Sequence, residues 1–136
     1  MIVLLDTDVL IDVALDRTSH VEASIKLLEA LEMRRGQGFV AWHSLSNFYY
    51  LVSPAKGAHH TRDFLDDLIR FIDIAPTNRD SFHLACQFPM KDFEDAMQVA
   101  AAMACGADVI ATRNIRDYAQ ASMRVTTPAL LVKDMK

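Results

Sequence analysis

Ile2-Val3-Leu4-Leu5-Asp6-Thr7-Asp8-Val9-Leu10-Ile11-Asp12 is the stretch on which the fold turns. Its apolar opening reads as a short buried strand, and Val9, Leu10, Val13 and Ala14 continue at helical spacing, so the chain passes from strand to helix across Asp6. A second run, Val109-Ile110-Ala111-Thr112-Arg113-Asn114-Ile115-Arg116-Asp117, also leaves an apolar segment through polar and acidic residues, and the acidic knot Asp92-Phe93-Glu94-Asp95 precedes it. If the apolar runs are parallel strands, their carboxyl ends lie on one sheet edge and carboxylates distant in sequence meet in one crevice. Such a crevice suits a hard cation.

The rest of the chain alternates in the same way. His20 to about Arg35 has the spacing of a helix, with Ser19 as N-cap and Gly36 as stop. Phe39 to Trp42 is the second strand candidate, Ser44 to Val52 a helix ended by Ser53-Pro54, Thr61 to Arg70 another helix, and Phe71 to Ala75 the third strand. Asn78 to about Cys86 reads as a short helix and Phe93 to Cys105 as an Ala-rich one stopped by Gly106. Asp108 to Ala111 is the fourth strand and Arg124 to Thr126 a fifth. No repeat or linker interrupts the alternation. The expectation is one domain over residues 1–136, a three-layer α/β/α sandwich around a mainly parallel four- or five-stranded sheet, with right-handed crossovers.

Composition sets modest bounds. At 136 residues, 51% of them hydrophobic, the chain can bury one respectable core. A formal net charge of -4 carries no basic excess of the kind that advertises nucleic acid, so a polyanionic partner would have to be held by local basic residues and metal. Cys86 and Cys105 lie in apolar surroundings without CxxC spacing and are expected to be two reduced core thiols, which favours the cytoplasm. Asp6 interrupts the first apolar run and no basic segment precedes it, so neither a signal peptide nor a membrane span is expected.

Each acidic residue also has a plain structural reading. Asp92, three residues before Asp95, resembles a helix cap. Asp8 is a cap for the first helix and Asp12 a solvated position on it; Asp117 caps or solvates a turn. Asp6 resists such a reading, because a carboxylate that continues a buried strand must be paired or bind something. Among other candidates, His59-His60 has no partner at metal-ligand spacing, no Gly-flanked serine elbow accompanies His20, His43 or His83, and no phosphate-cradling glycine loop exists. Trp42, Phe48, Tyr49 and Tyr50 read as core or dimer surface before base-stacking platform.

Taken together, Leu4-Leu5-Asp6-Thr7-Asp8-Val9-Leu10-Ile11-Asp12, Asp92-Phe93-Glu94-Asp95-Ala96 with its Ala-rich helix, and Ala111-Thr112-Arg113-Asn114 resemble, in order and spacing, the PIN-domain nucleases, especially their VapC-like toxin branch. The resemblance runs nearly end to end. It implies that Asp6, Asp95 and Asp117 are catalytic metal ligands, with Asp92 or Glu94 as additions. The acidic position after the fourth strand is shared in the family between two sites, here Asn114 and Asp117, and only Asp117 is charged. Where the family commonly has a glutamate on the helix after the second strand, this chain has Asn47. Asn47, Asp92, Thr112 and Asn114 are supporting residues on this reading, and Lys91, Arg113 and Arg116 flank the acids as phosphate contacts.

Oxygen ligands on a half-open carboxylate cluster suit Mg2+ or Mn2+, and phosphodiester hydrolysis is the chemistry that such a site supports. The resemblance further implies an RNA substrate, a cognate antitoxin whose tail enters the acidic cleft, and a homodimer, for which the apolar helices Ser44 to Val52 and Thr61 to Arg70 offer surfaces. Two alternatives stand beside it. One is a PIN-fold binding module, in which Asn47 and Asn114 have blunted catalysis. The other is a phosphatase of the haloacid dehalogenase type, in which Asp6 is a covalent nucleophile and Asp8 its general acid.

Overall fold

Five strands form a wholly parallel sheet in the computed structural model, which describes residues 1–135. They are β1 (Ile2–Leu5), β2 (Gln37–Val40), β3 (Ile72–Ile74), β4 (Val109–Ala111) and β5 (Val125–Thr126), in the spatial order β3-β2-β1-β4-β5. β1 is therefore central, and the order reverses on either side of it, which opens a crevice at its carboxyl end. The helices are α1 (Thr7–Ala14), α2 (Val21–Glu32), α3 (Trp42–Lys56), α4 (Ala58–Leu68), α5 (Arg79–Gln87), α6 (Phe93–Ala104) and α7 (Pro128–Asp134), with a 3-10 turn at Ile115–Tyr118.

The pleat sends alternate strand residues to opposite layers. Val3, Leu5, Val40, Val109 and Ala111 pack in one core with residues of α1, α2, α3, α4 and α7. Leu4 and Ile110 point the other way, onto Val99, Ala101 and Ala102 of α6. The central strands are thus buried on both faces, which is why they read as unbroken apolar runs rather than alternating ones. This is the expected α/β/α sandwich, with the sheet at the higher strand number.

Several local expectations are corrected. β2 begins and ends two residues early, and Trp42 opens α3 with 68% of its surface exposed. α3 does not stop at Ser53-Pro54 but carries Pro54 inside its last turn and ends at Gly57, whose φ of 84° breaks the helix. α2 starts behind His20 rather than Ser19, and His20 makes no capping bond with its side chain. α7 was not expected; Thr127 caps it, and Pro128 occupies its first turn, where a missing N–H costs nothing. Cys86 and Cys105 are both free, but Cys86 is exposed and Cys105 only part-buried, so they are not a pair of core thiols. Among the described residues no helix is long and apolar enough to cross a membrane.

Candidate active site

The crevice is built where β1 and β4 end side by side. Leu5 pairs with Ala111, so Asp6 and Thr112 leave the sheet as neighbours, and the Asp6 N–H donates to the Ala111 carbonyl at 2.9 Å. Asp6 is the N-cap of α1, its Oδ1 accepting from the Thr7 N–H at 2.7 Å; the capping role expected for Asp8 belongs to Asp6. Buried to 7% exposure, the Asp6 carboxylate collects further donors: Gln98 Nε2 to Oδ1 at 3.2 Å, and the hydroxyls of Thr112 at 2.9 Å and Tyr118 at 2.8 Å to Oδ2. Burial raises its pKa above the usual value, and these hydroxyl donors oppose the rise.

Four donors fill the four acceptor directions of a carboxylate. A cation that engages Asp6 must therefore take the place of one of them, and Thr112 has somewhere to go, since its hydroxyl also lies 3.1 Å from Asp8 Oδ2. Asp8 in turn accepts from the backbone N–H of Arg113 at 3.2 Å and from Asn114 Nδ2 at 3.1 Å, so it pins the segment after β4 rather than capping α1. Burial first, and the nearby Asp6 charge second, push Asp8 up to about 7.

α6 supplies the opposite wall. Asp92 caps it, accepting from the Asp95 N–H at 3.1 Å, and this cap turns Asp95 inward, where it is 9% exposed. Asp92, Glu94 and Asp95 each offer a carboxylate oxygen within 4.8 Å of the other two. Asp95 is pushed up to about 7, by burial and then by the charges of Asp92, Glu94, Asp6 and Asp117. That repulsion between carboxylates from separate elements is the electrostatic signature of a site short of positive charge.

The resulting open crevice, of about 360 Å³, is lined by Asp6, Asp8, Asn47, Asp92, Glu94, Asp95, Arg113, Asn114 and Asp117 among others. The exposed 3-10 turn presents Asp117 to it, while the next residue, Tyr118, goes inward to Asp6. Lys91 and Arg116 line an adjoining cavity of about 260 Å³ that shares Asp92, Asp95 and Asp117 with the crevice. Arg113 does not stand free to meet a phosphate: its Nε is held by Asp12 at 2.9 Å. Asp12 is not on a solvated face either; it is 1% exposed and also lies 3.4 Å from Arg17. A buried carboxylate needs such partners, and α1 delivers Asp12 one turn beyond Asp8.

Three contributors escaped the sequence reading. Gln98, fully buried, bridges Asp6, Thr7 and Ser44, its Nε2 lying 2.7 Å from Ser44 Oγ, while its Oε1 has no partner among the described residues. Tyr118 and Ser44 complete the polar floor. Gln98 left one trace in the sequence, a polar residue three positions after Asp95 on an otherwise apolar helix face.

The donor set consists of hard carboxylate and amide oxygens on a half-open cleft, and the two arginines that line it, Arg17 and Arg113, both contact Asp12. Its chemistry suits a hard divalent cation: Asp92, Glu94 and Asp95 are the carboxylates grouped within 4.8 Å, and Asp6 and Asp117 line the same crevice.

Comparison with known proteins agrees with this geometry. The PIN-domain family model matches residues 2–116. Among solved structures, VapBC2 from Rickettsia felis, bound to a DNA fragment from its promoter, is similar at a TM-score of 0.70 and 16% identity, covering 92% of this chain and 97% of that one. VapBC-1 from nontypeable Haemophilus influenzae is similar at a TM-score of 0.68 and 12% identity, covering 94% of this chain and 98% of that one. No curated protein sequence matches the chain.

Proposed function

The chain belongs to the PIN-domain family, and from that membership and its acidic crevice we propose that it is a metal-dependent endoribonuclease, the toxin of a toxin–antitoxin pair. The observation that carries the proposal is the convergence of carboxylates from the end of β1, the start of α6 and the turn after β4 on one crevice, whose arginines, Arg17 and Arg113, both contact Asp12.

Asp6, Asp95 and Asp117 hold Mg2+ or Mn2+ on this reading. An ion held there would act as a Lewis acid on a phosphoryl oxygen and would lower the pKa of an attacking water. Asp6 is kept in place by Thr7, Thr112, Gln98 and Tyr118, so its carboxylate is oriented before any substrate arrives. Asn47 and Asn114 present amides that orient water or a phosphate oxygen without adding charge. Asp92 serves chiefly as the cap that aims Asp95. Lys91 and Arg116, in the adjoining cavity, are placed to take phosphates of an RNA strand that runs across the acids.

The partner proposals follow from the neighbours. Both similar structures are VapBC assemblies, and a cognate antitoxin is proposed on that likeness. Trp42 and Tyr50 leave α3 with 68% and 72% of their surfaces exposed, and α3 is the proposed homodimer surface. The phosphatase alternative loses ground at Asp6, since a carboxylate with four donors and 7% exposure is a poor nucleophile. The binding-module alternative rests on Asn47 and Asn114, which bring no charge into the crevice.

Cleavage of a mixed RNA pool by purified protein with Mg2+ or Mn2+, against a chelator and Asp6→Asn, tests the proposal. Asparagine still caps a helix, so Asp6→Asn removes the charge and leaves the cap. Cuts that need the ion and vanish in Asp6→Asn are expected; a folded, antitoxin-free protein that cuts nothing with either ion would pass the weight to the binding module.

A further inference from the structure

The α3 side of the crevice brings Asn47 and Leu51 and, among the described residues, no carboxylate. One turn before Asn47 on the same helix, His43 reaches across to α6 and its Nε2 lies 2.7 Å from Glu94 Oε2. The ring is 21% exposed and the carboxylate 38% exposed, so the contact is neither a loose surface pair nor a sealed one. On its other side His43 borders a small pocket of about 100 Å³ that Phe82 and Met97 also line.

With one oxygen held by His43, Glu94 cannot swing into solvent as an unrestrained helix-surface glutamate would. It lines the crevice, keeps a carboxylate oxygen within 4.8 Å of Asp92 and Asp95, and its charge is felt at Asp6 and at Tyr118. We propose that Glu94 is a further cation ligand of this site and that His43 is its positioning residue, the contribution of α3 to the ion being made through a hydrogen bond rather than a carboxylate of its own. This rests on the cation-site reading above. Outer hydrogen-bond partners of metal ligands set their orientation, and losing one typically weakens metal binding by about 10–100-fold.

Calorimetric titration of the full chain with Mn2+ tests the proposal without reference to cleavage. Glu94→Gln is expected to bind Mn2+ at least about tenfold more weakly than wild type, and His43→Phe to weaken it comparably. His43→Gln, which keeps an N–H donor, is expected to recover most of the affinity, and His43→Phe combined with Glu94→Gln to be no weaker than Glu94→Gln alone. Circular dichroism and a thermal melt report whether each variant is folded. Wild-type affinity in Glu94→Gln, alongside loss in Asp6→Asn, overturns the inference and leaves the cation site standing. Additive losses from His43→Phe and Glu94→Gln overturn the positioning role. Wild-type protein that binds no Mn2+ overturns both the inference and the cation site, whereas Mn2+ binding without RNA cleavage overturns only the nuclease reading.

Discussion

Tyr118 shows how much of the site is orientation. Its hydroxyl donates to Asp6 Oδ2 at 2.8 Å from a ring that is 2% exposed, and burial together with the adjacent carboxylate drives the phenol far above its ordinary pKa, so it stays a donor at every working pH. Tyr118→Phe keeps the packing and deletes one donor to a buried carboxylate, a loss of about 1.5–3 kcal/mol. Urea unfolding should register it as an earlier midpoint with an unchanged slope; no shift would mean that water replaces the phenol. Arg113 offers a contrasting case. If its business is Asp12, then Arg113→Met strands a buried charge at a cost of about 3–5 kcal/mol, softened by Arg17, and Asp12→Leu in the same chain should recover most of it. Unchanged stability with a raised KM for RNA would return Arg113 to the phosphate-contact role. Asp6 stands out in the sequence because a charge continuing a buried strand has no bland explanation, whereas Asp95 by itself reads as part of a helix cap and is picked out only by the family resemblance. Asp12, Ser44, Gln98 and Tyr118 do not stand out, since their partners lie at least five and up to 112 residues away and only the fold brings them together.

At the scale of elements, all five strands are legible as short apolar runs, most clearly the central β1 and β4, which are buried on both faces, whereas element ends are not. Ser53-Pro54 looks like a stop, yet a proline in a last turn removes only one hydrogen bond, and α3 ends where Gly57 takes a positive φ. α7 was overlooked although Thr127-Pro128 has the form of a capped helix start. The shift of β2 has its own physical reason. Gly38 pairs with Ile72 in the sheet, and a methyl group there would run into the side chains of Ile72 and Leu31, so the strand is placed where α2 can approach the backbone closely. Gly38→Ala should therefore destabilise by about 1–3 kcal/mol despite alanine's easier backbone, through overpacking of a closed core. A thermal melt at fixed pH would show it, and an unchanged or raised Tm would mean that Ile72 and Leu31 re-rotamer freely.

For the molecule as a whole, the crevice is a liability in the absence of a cation, and pH should expose it. Asp8 and Asp95 are pushed up to about 7 and Asp6 is raised as well, each first by burial, whereas their unfolded values are near 3.8. Between roughly pH 4 and pH 7 the folded chain therefore holds protons that the unfolded chain has released, and stability must rise as pH falls through that window, the reverse of a protein held by paired carboxylates. Each extra proton bound is worth about 1.4 kcal/mol per pH unit, or a few degrees in Tm for a domain of this size. Chelator-treated protein should thus melt higher at pH 5.5 than at pH 7.5, Asp95→Asn should flatten the difference by raising the pH 7.5 value, and Mn2+ should stabilise strongly at pH 7.5 but little at pH 5.5, where protons already neutralise the acids. The comparison with Asp95→Asn isolates the contribution of the crevice. A melting temperature that falls toward pH 5.5 to the same extent in wild type and Asp95→Asn would mean that the carboxylates do not repel one another in the folded state, and with that the physical case for a cation at this sheet edge would be gone.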